Sequence, residues 1–219
     1  MSLDDDEEQA GSAGPLFNAP WPAVTVAGAI LGSYAWQAIW GGGSAAVTAL
    51  GFAPADLERG HWYTLLTVLF VHAGWVHALL NAVLALAFGT PVARLLDANA
   101  RGAAGFFDFF LLCGVLSSLG YAAFHLHSAL PIIGASGAVG GLMGGASRLF
   151  GREGEGLAPL LSWPVLGLGA GLLVANALIA LSTGILIPQG MNLGWEAQIT
   201  GFLAGVLLIG PAARLFGSR

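Results

Sequence analysis

Six stretches of this chain run close to a membrane's width with almost no formal charge, and few folds are open to a chain built that way. They cover residues 22–40, 68–93, 102–126, 131–146, 157–181 and 193–213. A hydrocarbon core about 30 Å thick is crossed by about 20 residues of helix. Inside that core every backbone N–H and C=O has to find its partner within the chain, and a helix satisfies them all locally. With 56% hydrophobic residues against 9% charged ones, the composition lies far from that of a soluble globular chain. The expected fold is all-α: a polytopic bundle of six membrane helices over residues 21–216, preceded by a disordered acidic tail over 1–20. The fourth stretch is short for a full crossing, which fits a helix that starts below the membrane surface inside a protein-lined cavity. Ser136 falls in its first turn.

The basic residues imply an orientation. All seven are arginines. Arg94 and Arg101 lie between the second and third stretches, Arg148 and Arg152 between the fourth and fifth, and Arg214 and Arg219 after the sixth, whereas Arg59 precedes the second. A cytoplasmic N-terminus places six of the seven inside, as the positive-inside bias requires, and the inverse topology places six outside. Both termini are therefore expected in the cytoplasm, and carboxylates contribute too little to this bias for Asp4 to Glu8 to oppose it. The acidic N-terminal flank and the length of the first apolar run read as an uncleaved anchor rather than a signal peptide. The expected location is a bacterial inner (cytoplasmic) membrane.

Other sequence features narrow the function classes. Cys113 is the single cysteine and lies within the third stretch, so neither a disulfide framework nor a thiol-rich metal site is expected. The net charge of −5 comes largely from the tail, and no basic patch suggests nucleic acid. Neither cofactor nor metal is expected. Residues 41–60 form a long connection rich in glycine and alanine, of a length that is more often functional than idle. Trp62, Tyr63 and Trp75 suit the headgroup boundary, where amphipathic rings anchor a membrane protein.

Chemistry concentrates at three places. Gly134-Ala135-Ser136-Gly137 opens the fourth stretch, and glycines on both sides of a serine suit a nucleophile that a substrate backbone must approach closely. His77 and Asn81 are four residues apart and so share one helix face. Such a pair often glues membrane helices together, but both side chains can also donate hydrogen bonds to an oxygen that becomes negative in a transition state. Trp195-Glu196-Ala197-Gln198 opens the sixth stretch with a carboxylate and a carboxamide at the head of an apolar run.

Taken together, these residues resemble the rhomboid family, six-helix intramembrane serine proteases. The family pattern is a histidine four residues before an asparagine in the second helix, G-x-S-G at the start of the fourth, and alanine-histidine followed by G-x-x-x-G in the sixth. His77 and Asn81, Gly134 to Gly137, and Ala197 with Gly201 and Gly205 match it, over residues 62–205. The resemblance implies Ser136 as nucleophile, with His77, Asn81 and the Ser136 amide forming an oxyanion hole. His72 matches an earlier histidine of more structural role. Gly137, Gly141, Gly145, Gly201 and Gly205 read as packing residues that let the fourth and sixth helices approach closely. The implied partners are the bilayer and single transmembrane helices, which unwind in part to present their backbone to Ser136. Oligomeric state is not legible.

The chain departs from the family at three positions. Gln198 stands where the general base belongs, and an amide does not take a proton near neutral pH. Removing the base from a serine hydrolase costs on the order of ten-thousand- to million-fold in turnover. Gly140 replaces an aromatic that usually packs on the catalytic histidine, and Thr64 replaces an arginine after the loop tryptophan. Three explanations of Gln198 stay open: a pseudoprotease that binds transmembrane helices without cutting, an engineered substitution in an active enzyme, or another base. His125 and His127, in the connection before Ser136, are the candidates for the last, although a pair of solvent-facing loop residues is the plainer reading. A small transporter or channel is the competing class, in which intramembrane His and Asn would mark a pathway. Against it, Asp108 and Glu196 lie towards opposite ends of the bundle and form no carboxylate relay, and inverted repeats with broken helices are missing.

Overall fold

The computed structural model describes residues 18–40, 43–150, 156–181 and 194–217. Asp4 to Glu8, Arg152 and Arg219 lie outside the described residues. In chain order the helices are α1 (Trp21–Trp40), α2 (Ser44–Leu50), α3 (Ala55–Glu58), α4 (Thr64–Thr67), α5 (Trp75–Leu96), α6 (Ala100–Phe124), α7 (Ser136–Ser147), α8 (Trp163–Leu181) and α9 (Trp195–Phe216), with a 3-10 turn at Val68–Phe70. The described residues contain no β-strand beyond an isolated antiparallel bridge between Phe52 and Ile132. The all-α expectation holds.

Among the described residues, α5, α6, α8 and α9 are long and apolar enough to cross a membrane. α1 has 20 residues, but Thr25, Ser33, Tyr34 and Gln37 dilute its apolar character. α7 has 12 residues and at 1.5 Å per residue spans only about 18 Å. It lies inside the protein instead, with ten of its residues buried, among them Leu142 and Ala146 without exposure.

Two expected segments take a different form. The stretch 68–93 does not run as one helix: the chain turns through Val68–Phe70, extends through residues 71–74, and starts α5 at Trp75. Gln37 of α1 holds this break. Its Nε2 donates to the His72 carbonyl at 2.9 Å, and its Oε1 accepts from the His72 N–H at 3.0 Å. These are backbone groups that a continuous helix would have satisfied itself. The connection 41–60 is also more structured than its composition suggests, since α2 and α3 occupy much of it.

The core of the bundle is α7 seated against α5, α6 and α9. Gly137, Gly141 and Gly145 face α6, where a Cβ would meet Ser117, Cys113 and Phe109 at 2.1, 2.3 and 2.9 Å. On the side facing α9 the fit is backbone against backbone: a Cβ on Gly201 would stand 2.0 Å from the Gly137 carbonyl oxygen, and one on Gly205 1.9 Å from that of Gly141. The matched spacing shows α7 and α9 running parallel, with small residues on both, as close membrane helices require.

Candidate active site

Ser136 owes its position to the segment before it. Ile132 exchanges both ladder hydrogen bonds with Phe52, at 2.8 and 3.1 Å, and the Gly134 N–H donates to the Val68 carbonyl at 3.0 Å. The first connection therefore holds an otherwise irregular segment that delivers Ser136, half-buried, as the first residue of α7. Gly134 has φ +106°, a conformation that favours glycine. A Cβ there would also lie 2.7 Å from the His77 ring and 3.8 Å from Asn81 Nδ2. Ring and amide thus stand directly against the peptide leading into the serine.

Those two side chains are oriented by their neighbours on α5. The Ala73 N–H donates to His77 Nδ1 at 3.4 Å, which in a neutral imidazole leaves the proton on Nε2, the nitrogen nearest Gly134. Asn81, buried, donates from Nδ2 to the His77 carbonyl at 3.0 Å and keeps a second N–H on the same nitrogen. Two polarised N–H groups are thus available beside Gly134. His72, the earlier histidine, lies on the extended segment rather than on α5, with its ring fully buried 5.1 Å from that of His77.

A polar cavity of about 10 Å³ adjoins the serine, lined by Ser136, Gly134, Ser117, Ser118 and Ala197 among others. That is the room of one water molecule. Gln198 reaches the neighbourhood through its backbone, whose carbonyl oxygen would come 2.7 Å from a Cβ on Gly140. An aromatic at position 140 has no space beside so close an α9. The Gln198 side chain is turned to α8: its Oε1 accepts from Asn176 Nδ2 at 3.0 Å. Among the described residues no hydrogen bond joins Ser136 Oγ to Gln198.

The loop histidines are engaged elsewhere. His125 Nε2 sits 2.9 Å from Glu196 Oε1, and His127 pairs with Glu58. No hydrogen bond joins either ring to Ser136 among the described residues. Glu196, expected near an outer helix end, is buried in the first turn of α9, and this pair ties that turn to the end of α6. Gln37 and Asn176 belong to none of the sequence motifs. Each nevertheless carries a signal, a carboxamide inside an otherwise apolar span, which is costly unless it is partnered.

The helices and the buried polar site are those of an integral multi-pass membrane protein with a serine at the head of an internal helix. Residues 59–214 match the Rhomboid domain, and the chain belongs to the rhomboid family. It is also similar to the rhomboid protease GluP of Bacillus subtilis (strain 168), with 27% identity over 190 residues. That match covers 82% of this chain and 33% of the relative, so the chain spans about a third of that protein's length.

Proposed function

We propose that this protein is a rhomboid-type scaffold that receives transmembrane segments of membrane proteins at Ser136 and hydrolyses them weakly or not at all. Ser136 is the nucleophile position, and His77 Nε2–H, Asn81 Nδ2–H and the Ser136 amide serve as the oxyanion donors. The reading takes the six-span bundle with both termini in the cytoplasm, in a bacterial inner membrane. Its support is the grouping of arginines at the C-terminal ends of α5, α7 and α9 and the start of α6, away from Arg59.

The observation that carries the proposal is the Asn176–Gln198 hydrogen bond. The residue in the base position is an amide, and its acceptor oxygen is already taken by α8, so nothing there draws the proton from Ser136 Oγ. Oxyanion donors and a bound segment without a base leave only residual chemistry.

The test is cleavage of a transmembrane reporter in liposomes by this chain, by Gln198→His, and by Gln198→His combined with Ser136→Ala. Gln198→His is expected to raise cleavage by about 100-fold or more, and the added Ser136→Ala to abolish it. Cleavage by the unaltered chain that Ser136→Ala removes would mean a different base and an active protease.

A further inference from the structure

α8 is the least integrated of the long helices. Its fully buried residues are Val165 and Asn176; Leu168 and Leu172 pack, partly buried, towards Phe202 and Val206 of α9, and its other leucines are exposed. A Cβ on Gly167 or Gly171 would meet nothing within 4 Å. Asn176 is therefore its main polar attachment to the bundle, and that attachment is incomplete.

Asn176 Nδ2 uses both of its hydrogens, one on the Leu172 carbonyl at 2.9 Å and one on Gln198 Oε1 at 3.0 Å. Because Leu172 O can only accept, the amide cannot be the other way round. Two carboxamides facing each other can form two hydrogen bonds, yet only one is made here. Asn176 Oδ1 is buried without a hydrogen-bond partner among the described residues, in a residue only 5% exposed. Gln198 Nε2 makes no hydrogen bond among the described residues. Among the described residues a buried acceptor and a half-buried residue's donor thus stand unpaired across the seam between α8 and α9, beside the serine helix. Leaving a buried acceptor unmet is unfavourable, and more so in apolar surroundings.

We propose that this seam is a recognition site for the carboxamide side chain of an asparagine or glutamine in an incoming transmembrane segment. The inference rests on the reading of the protein as a receiver of such segments and names a feature they carry. A carboxamide presents its N–H and C=O on one edge, so a single group donates to Asn176 Oδ1 and accepts from Gln198 Nε2. A trans backbone amide holds the two on opposite sides and serves only one of them. The apolar contacts of α8 with α9 lie at Val165, Leu168 and Leu172, so the guest amide is received at the Asn176 end of the seam, where it completes the set of hydrogen bonds.

The experiment uses the full chain in liposomes and three synthetic transmembrane peptides, read by energy transfer from a donor on the protein. One peptide is a uniform Leu/Ala helix, the second carries a single Asn at mid-depth, and the third a Pro-Gly break. The Asn peptide is expected to bind about fivefold tighter than the uniform one, the fold-change that goes with roughly 1 kcal/mol for an interhelical hydrogen bond. Asn176→Leu is expected to erase that preference, bringing the affinity of the Asn peptide to that of the uniform one. Asn176→Ala serves as a second, smaller variant should the leucine disturb folding. Equal binding of the Asn and uniform peptides overturns the inference, as does a preference that survives both variants or is larger for the Pro-Gly peptide. Failure of all three peptides to bind overturns instead the proposed function on which it rests.

Discussion

α8 and α9 are successive helices of similar length and apolar content, yet they are held in opposite ways. α9 is joined to α7 by bare backbone, with Gly201 and Gly205 against the carbonyls of Gly137 and Gly141, so no atom lies between the two helices to yield. α8 is held by Val165, by the partly buried Leu168 and Leu172 against Phe202 and Val206, and by one carboxamide, with 11% of its most apolar stretch buried against 28% for α9. The first arrangement fixes the height and angle of Ser136 relative to position 198. The second is the wall that receives the incoming segment in the proposed recognition. Two successive apolar helices therefore serve as foundation and as door, and part of the difference lies in Gly201 and Gly205 facing a backbone while Gly167 and Gly171 face nothing.

The comparison breaks most sharply at the foundation. Gly205→Leu or Gly201→Leu drives a branched side chain into a carbonyl 1.9 or 2.0 Å from its first carbon. Each is expected to cost at least about 4 kcal/mol, seen as loss of folded monodisperse protein and collapse of thermal unfolding in detergent. A folded leucine variant would mean that α7 and α9 can slide apart, and the foundation would be no firmer than the door.

A smaller effect is expected at the α1 clamp. Gln37→Leu strands the buried His72 N–H and C=O and is expected to cost about 2 kcal/mol. The loss should appear in the same unfolding measurement and as faster hydrogen exchange over residues 71–74. The smallest effect belongs to the door. Gly167→Ala and Gly171→Ala are expected to leave unfolding unchanged or to stabilise by up to about 1 kcal/mol, because alanine favours helix and each Cβ finds open space. A destabilisation there would reveal a partner for α8 and remove the contrast.

Much of the foundation can be read from residues alone. G-x-S-G, the His77–Asn81 spacing and the Gly201–Gly205 frame all make local demands, a close approach or a shared helix face, that spacing expresses directly. The break at residues 71–74 is hidden because Val68 to Val71 are as apolar as the first turns of α5, and the clamp that stabilises the break comes from Gln37, 35 residues away. The door is hidden for the same reason. Asn176 reads as one polar residue in an apolar run, and nothing in the sequence says that its partner is the residue standing in the base position. The small helices at Ser44–Leu50 and Ala55–Glu58 do not show in a glycine- and alanine-rich composition, because the contact of Phe52 with Ile132 that orders them joins distant parts of the chain.

The glycine seam also bears on when the site comes into being. α7 is too short to cross a bilayer and has glycine where other helices carry apolar bulk, so by itself it is a poor candidate to persist in lipid. Its opposite wall is α9, which leaves the ribosome after every other helix of the site. During synthesis Ser136, His77 and Asn81 are thus all made before the surface that holds them in register exists. The polar chemistry of this protein stays unassembled until α9 has emerged, and a chain cut short before Gly201 carries the serine but not the site.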